Sequence, residues 1–556
     1  MSDLNLPDSS ANGRARMQAL DLRHRPEVAP TSLVSFLSHG RVLIIGDEAR
    51  ALAAAGRLGE GLVATLFCPA DQRPATATVD GLTVVRGGSP SLTGSLGSYT
   101  LSLSESGDES ESPAVALLTQ ARFDLVLDLG ETPLLQQEVL PPGYYAPRGD
   151  DEALDAALQE LPEMRGEFEK PKYFNLDTEI CAHGRRGIRG CTRCLDVCPA
   201  WAIRSAGEHV TVDPNLCQGF GSCAAVCPTG AITYAYPSTG DLLGYLRTVL
   251  VTYRDAGGAD PLLVFFDSAS AASIAGELGA ALPENALPVE LEEVGSIGMD
   301  AWLTCLAYGA RRILILTGEQ TPASIHDVLE RQIGYTAPIL EGMGYSGAAV
   351  AALDAGDVAA VTAAANAEPA IDLDSPARFA PPPEKRLLLR AAINHLLEHA
   401  PGRRKVAALP AGAPFGQVKV DGGACTLCMS CVAVCPTSAL REGQGLPQLH
   451  FVERACIQCG ACETACPEDA VTLETRFLYD DKARGAQRLL HEEQPACCIA
   501  CGKPFATRSM LKVMAKKLED HWMFQNEAER RRLEMCEDCR VKDLMRAQQG
   551  GGSGSI

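Results

Sequence analysis

Of the 556 residues, 22 are cysteines, and most stand two or three residues from the next. In a reducing compartment, thiols at that spacing read as metal ligands rather than disulfide halves. The clearest run is Cys425-x2-Cys428-x2-Cys431-x3-Cys435-Pro436, repeated as Cys456-x2-Cys459-x2-Cys462-x3-Cys466-Pro467. Three thiolates two residues apart let a short loop fold around one cubane of iron and sulfide, with backbone N–H groups turned toward the sulfides. The fourth cysteine, set off by a helical turn and a proline, ligates the other cluster.

Over about residues 416 to 476 these motifs resemble the bacterial-type dicluster ferredoxin. The crossing rule puts Cys425, Cys428, Cys431 and Cys466 on one 4Fe-4S centre, and Cys456, Cys459, Cys462 and Cys435 on a second. An upstream block varies the plan: Cys181-x9-Cys191-x2-Cys194-x3-Cys198-Pro199, then Cys217-x5-Cys223-x3-Cys227-Pro228. Its leading cysteine has moved back to Cys181, and Ile188 occupies the usual position. The ligand count survives, so Cys181, Cys191, Cys194 and Cys227 are expected on a third 4Fe-4S centre. In the second half Phe220 stands where the middle cysteine belongs, and phenylalanine cannot coordinate iron. The remaining Cys198, Cys217 and Cys223 match ferredoxins with a 3Fe-4S centre. An incompletely ligated 4Fe-4S cluster with an open or exogenous fourth ligand, and loss of the site, are the alternatives. Cys181-Ala-His183 fits half of a Rieske pattern, but Cys191-Thr-Arg-Cys194 has no histidine to supply the other half. His183 therefore reads as a polar neighbour that tunes potential.

A third block differs in kind. Cys498-x2-Cys501 and Cys536-x2-Cys539 are knuckles with 34 residues between them. Two such pairs closing on one ion make a structural zinc site, here over a span longer than the usual 15 to 20 or so residues. A further iron-sulfur cluster is the competing reading. An amphipathic helix carrying Met510, Met514 and Leu518 is expected between the knuckles, and Cys497 is a spare thiol. Residues 482–546 hold 14 Lys and Arg against 10 Asp and Glu, so this module is suited to an acidic surface or to the body of its own chain.

The elements that must position these cysteines alternate with them. The expected fold class is α/β plus α+β: two α/β domains alternating with two ferredoxin-like dicluster modules, and a C-terminal helical four-cysteine zinc module. The segments are a flexible N-terminus (1–37), a Rossmann-like α/β domain (38–165), the first dicluster module (166–239) and a second α/β domain (240–365). A linker and helix (366–415), the second dicluster module (416–476), the zinc module (477–548) and a linker-like tail (549–556) follow. Val42 to Gly46, Leu62 to Phe67 and Phe123 to Leu129 read as strands of the first α/β domain, with a helix over Glu48 to Leu58. Its turn, Gly46-Asp-Glu-Ala-Arg-Ala51, has one glycine where a dinucleotide fingerprint needs three, and an acidic pair where pyrophosphate would sit. The Ser/Gly-rich stretch from Gly87 to Ser112 reads as a surface loop. In the second α/β domain, Leu262 to Phe266 and Ile313 to Leu316 read as strands and Ala269 to Leu282 as a helix. Residues 290–350 there resemble the iron-sulfur delta subunit of methanogen hydrogenases, through Glu293-Val-Gly-Ser-Ile-Gly-Met-Asp300 and Ala307-Tyr-Gly-Ala310. Thr317-Gly-Glu319 replaces that family's cysteines, so no cluster is expected in this domain. A helix from Glu384 to His399 should bury Leu389, Ile393 and Leu396.

Lys and Arg total 49 against 70 Asp and Glu, a formal charge of −21, which excludes nucleic acid as an expected partner. No apolar run approaches the 20 or so residues of a membrane span, and the N-terminus has no secretion-type apolar stretch, so a cytoplasmic location is expected. Cys68 and Cys305 read as small buried hydrophobes, and no catalytic motif is found. The likeness to iron-sulfur subunits that accompany hydrogenases and molybdenum formate dehydrogenases implies a polyferredoxin-like carrier. It would relay electrons between such a redox enzyme and an acceptor, steered to basic docking surfaces on redox protein partners. A flavin- or nicotinamide-linked oxidoreductase subunit, against which the degenerate glycine turn argues, and a redox-sensing assembly factor are the other classes.

Overall fold

The computed structural model describes residues 9–21, 30, 32–104, 118 and 121–550. A seven-stranded sheet is built on five adjacent parallel strands, in the order Leu82–Thr93, Val63–Cys68, Arg41–Ile45, Leu125–Asp128 and Tyr144–Tyr145. Along Arg41–Ile45, Val42 and Ile44 enter one apolar core and Leu43 and Ile45 another, so both faces are covered. At the end of this strand Asp47 caps the helix Glu48–Ala55, its Oδ1 accepting from the amides of Ala49 and Arg50, and Glu48 is paired with Arg86 at 2.6 Å. A carboxylate thus already holds the amides that a phosphate would use.

Two sequence expectations fail here. The stretch from Gly87 is not a loop as far as Ser104: Leu82–Thr93 pairs antiparallel with Thr100–Ser104, burying Leu92, Leu101 and Leu103. Their period-two alternation was masked by the serines and glycines between them. The rest of that stretch, 105–112, lies outside the described residues. Nor is the N-terminal segment uniformly flexible. Ala11–Ala19 is a helix with Ala15 and Ala19 buried, and Arg16 donates to the carbonyls of Pro283 and Ala286, both at 3.3 Å. Its contacts are alanines and one buried arginine, which leave no amphipathic signal. Leu33–Ser38 is also a strand, antiparallel to Gly166–Pro171.

The second sheet is four-stranded and parallel, in the order Ala286–Glu290, Leu262–Phe266, Arg312–Thr317 and Val350–Asp354. The expected helix after Leu262–Phe266 is broken at Gly276 into Ser268–Ala275 and Glu277–Ala281. Helices Thr239–Asp255, Met299–Ala307 and Lys385–Glu398 share one core with this sheet. Lys385–Glu398 buries Leu389, Ile393 and Leu396 as its periodicity requires. The proline-rich stretch before it is laid on that core, with Ile371 and Leu373 buried. Among the described residues no helix is long and apolar enough to cross a membrane.

Both ferredoxin-like blocks have one plan, a ladder between the two ends enclosing a hairpin. The ladders are Phe174–Leu176 with Ile232–Tyr234, and Gly416–Val420 with Val471–Leu478. The hairpins are Ile203–Ala206 with His209–Val212, and Leu440–Glu442 with Gln448–Phe451.

Candidate metal centres

Each Cys-Pro motif continues to an alanine: Cys198-Pro-Ala-Trp-Ala202, Cys227-Pro-Thr-Gly-Ala231, Cys435-Pro-Thr-Ser-Ala439 and Cys466-Pro-Glu-Asp-Ala470. The residue before the alanine is left-handed in all four, with φ of 49° at Trp201, 80° at Gly230, 52° at Ser438 and 48° at Asp469. That kink returns the next amide to the thiol. Ala202, Ala439 and Ala470 donate to Cys198, Cys435 and Cys466 Sγ at 3.4, 3.2 and 3.3 Å. At the fourth turn Thr229 Oγ1 accepts the Ala231 amide and stands 3.6 Å from Cys227 Sγ. The Cys-Pro-x-x-Ala repeat was legible in the sequence and went unread.

The leading triplets also share a turn. Leu427 and Met429 flank Cys428 at φ 52° and 60°, and Gln458 and Gly460 flank Cys459 at 54° and 83°. Gly219 and Gly221 flank Phe220 at 89° and 72°, so the ligand turn persists where the ligand is lost. The upstream first half differs. Gly184–Arg185 pairs with Ile188–Arg189, and the Gly190 and Cys191 amides donate to His183 and Ala182 carbonyls at 2.7 and 2.9 Å. This hairpin folds the insert away and returns Cys181 toward the Cys191 turn. His183 is buried, with Nδ1 2.9 Å from the Cys191 carbonyl and Nε2 2.7 Å from Ser205 Oγ. A carbonyl only accepts, so Nδ1 carries a proton toward it. Both ring nitrogens are engaged.

The thiols gather by charge environment. Burial pushes Cys431 up to about 12, and Cys425, Cys428 and Cys466 add to it. Burial likewise raises Cys462, with Cys456, Cys459 and Cys435 next in weight. Cys194 is raised by burial and then by Cys227, Cys191 and Cys181. Cys223 is raised by burial and then by Cys217 and Cys198. Buried thiols in such groups cannot all ionise unless a cationic centre neutralises them, which is the condition an iron-sulfur core meets. Lys170 lies beside the group with three thiols, donating to the carbonyls of Asn215 and Cys217 at 2.8 and 2.7 Å.

At the C-terminal end, the sulfurs of Cys498, Cys501, Cys536 and Cys539 all lie within 4.8 Å of one another, and Cys501 and Cys536 Sγ are 3.7 Å apart. A tetrahedral ion with bonds of about 2.3 Å sets its ligands about 3.8 Å apart. The spacing therefore fits one ion, and a cubane is too wide for it. Although burial opposes it, amides of Cys536, Ala500 and Cys501 bring Cys498 down to about 6. The expected helix is Arg508–Lys517, but none of its residues is buried and Met514 is exposed. Met510, Leu511 and Val513 on it are half-buried, as is Leu518 just beyond it. Cys497 is exposed, and Cys68 and Cys305 are buried away from these groups. One gathering of ligand atoms was missed: His395, Glu398 and His399, at i, i+3 and i+4, lie within 4.8 Å at a helix end, where His395 Nε2 meets the Ser375 carbonyl.

Models of the 4Fe-4S dicluster domain match this chain over residues 162–231 and 424–471. A 7Fe ferredoxin of Hydrogenibacillus schlegelii is 45% identical over 39 residues, covering 7% of this chain and 50% of the relative. An uncharacterized ferredoxin of Methanocaldococcus jannaschii is 40% identical over 47 residues, covering 8% of this chain and 61% of the relative. The chain thus spans half or a little more of the curated relatives it matches. It carries two dicluster domains of ferredoxin type, and 4Fe-4S clusters are their cofactors.

Proposed function

We propose that this chain is a multi-cluster electron relay of polyferredoxin type. Iron-sulfur centres, once bound, take up and give back one electron at a time. The observation that carries the reading is the repeated ligand turn, with left-handed residues flanking Cys428 and Cys459 and an amide returned to Cys435 and Cys466 Sγ. Cys466 enters the charge environment of Cys431 with Cys425 and Cys428, and Cys435 that of Cys462 with Cys456 and Cys459. Each module would thus hold two centres with their ligand sets interlocked. Cys181, Cys191, Cys194 and Cys227 are the third four-iron set. Cys198, Cys217 and Cys223 are the set for a 3Fe-4S centre, a reading supported by a relative whose name records seven irons, the sum of a three-iron and a four-iron centre. Zinc on Cys498, Cys501, Cys536 and Cys539 is structural. The donor and acceptor are redox proteins, of formate dehydrogenase or hydrogenase type on one side, met through basic surfaces that complement the −21 charge.

The test is anaerobic purification with iron, sulfide, zinc and flavin quantitation, followed by EPR during reductive titration. About 15 irons and one zinc per chain are expected, without flavin. Cysteine blocks filled with zinc and free of sulfide would overturn the relay, and a stoichiometric yellow flavin would turn the reading to a flavin-linked subunit.

A further inference from the structure

The two dicluster modules meet at their ligand turns. A Cβ placed on Gly190 would lie 3.7 Å from Cys459 Sγ and 3.3 Å from Ala461 Cβ, and 2.9 Å from the carbonyl of Ala182 behind it. The residue at this position is therefore pressed between two walls, and glycine lets the Cys191 turn approach the Cys459 turn. Arg193, two residues after Cys191, spans the seam, donating to the carbonyls of Ile457 and Gly412, both at 3.1 Å, and of Gln458 at 3.4 Å. Arg185, on the hairpin that the upstream insertion creates, donates to the carbonyl of Cys435 at 2.9 Å. Both cations thus bind the backbone of the turns that carry Cys435, Cys456 and Cys459. Cys459 also enters the charge environment of Cys191, and Arg193 that of both thiols.

We infer that Cys191 and Cys459 form the junction through which electrons cross from one module to the other, with Gly190, Arg185 and Arg193 as its positioning residues. The inference rests on the relay reading and adds an order to it. The set Cys198, Cys217 and Cys223 lies at one end, then Cys181, Cys191, Cys194 and Cys227. Across the junction come Cys435, Cys456, Cys459 and Cys462, and the set with Cys425, Cys428, Cys431 and Cys466 closes the series at the exposed thiol of Cys428. One electron passes at the junction: the centre on one side is oxidised by one electron as the other is reduced by one, and no bond forms, no bond breaks and no proton moves. The outer source is a low-potential one-electron reductant, for which dithionite serves in the test. Because tunnelling falls steeply with separation, the turn held against its partner by glycine is the place where the path is set.

The experiment uses the full chain carrying C217S, C428S and C466S, which leaves each outer set two thiols, fewer than a three-iron centre needs, and leaves the two inner sets intact. After dithionite reduction, EPR should show spin–spin splitting between the two inner centres, since no other pair remains. Adding either G190V or R185A/R193A should leave iron and sulfide unchanged, reduce the splitting to two isolated signals, and slow module-to-module electron transfer at least tenfold. Isolated signals already in the C217S/C428S/C466S chain, or splitting that survives in both junction variants, would overturn the junction. If the outer-set variant loses inner iron, line broadening in the otherwise native chain with and without R185A/R193A decides in the same way. A native chain without iron-sulfur centres would instead sink the relay reading itself.

Discussion

Lys385 and Arg386 are consecutive in sequence and grip different modules. Lys385 Nζ donates to the carbonyls of Ala224 and Ala225 in the first, both at 2.7 Å, whereas Arg386 donates to those of Arg454 and Cys456 in the second, at 2.6 and 3.3 Å. The start of the helix Lys385–Glu398 is thereby a clamp. Lys385 also lies 3.4 Å from the carboxylate of Asp300, whose side chain is 8% exposed. Removing one member of such a buried pair costs about 3 kcal/mol, because the partner charge stays buried alone. Lys385→Met should therefore lower the thermal midpoint and release first-module iron before second-module iron, and K385M with D300L should recover part of the loss. Uniform iron release in K385M would remove the clamp.

Cys466 follows Cys462 by four residues in sequence, yet its charge weighs on Cys431 and Cys425. Cys466→Ser should therefore damage the centre of Cys425, Cys428 and Cys431, seen as loss of one EPR component while the signal assigned through Cys456→Ser persists. Loss of the sequence-adjacent centre alone would reverse the assignment.

Phe220 lies in a turn with the same left-handed flanks as Cys459. A thiol placed there meets the ligand geometry without rebuilding the loop. The oxidised wild type should show a near-isotropic three-iron signal close to the free-electron position. Phe220→Cys should abolish it and add about one iron per chain. An anaerobic wild-type protein silent in the oxidised state would refute the three-iron centre.

The C-terminal module has too little apolar core to hold itself. Its cluster of buried side chains is Cys498, Met535 and Cys536, and the helices Arg508–Lys517 and Glu527–Arg532 bury none of their residues. An ion held by Cys498, Cys501, Cys536 and Cys539 would then supply folding free energy. Zinc chelation, or Cys536→Ser, should open residues 495–550 of the full chain to protease while the iron-sulfur absorbance remains. Protection that survives demetallation is the contrary result.

Glu293 is raised to about 8 by burial, and by Asp267 and Glu292. The folded state holds its proton where the unfolded chain has lost it, so this group's contribution is full below the ordinary carboxylate range and fades as pH rises through 8. Glu293→Gln should flatten the fall in stability between about pH 5 and 8, a change of no more than a few kcal/mol read through the thermal midpoint, and parallel profiles would contradict it. The segment matters because a Cβ on Gly295 would stand 2.7 Å from the carbonyl of Phe220. The 293–300 motif is thus the seat of the incomplete ligand turn.

Cysteine spacing alone was enough to read two dicluster modules and a four-thiol knuckle, since ligation demands particular atoms at particular intervals and little else can satisfy it. Periodicity likewise marked Arg41–Ile45, Leu262–Phe266 and Lys385–Glu398, where apolar side chains repeat at the interval of their element. It missed Ala11–Ala19, whose small residues are placed by a neighbour distant in sequence, and Thr100–Ser104, whose serines blur the alternation of its buried leucines. The meeting of the modules escaped it altogether. Arg193 across the seam and Lys385 beside Arg386 use backbone carbonyls as partners, and a carbonyl is present at every residue, while Gly190 meets Cys459 through the absence of a side chain. Sequence shows which thiols can hold iron. Which centre faces which depends on close approaches and hydrogen bonds to the main chain, and only the tertiary structure decides those.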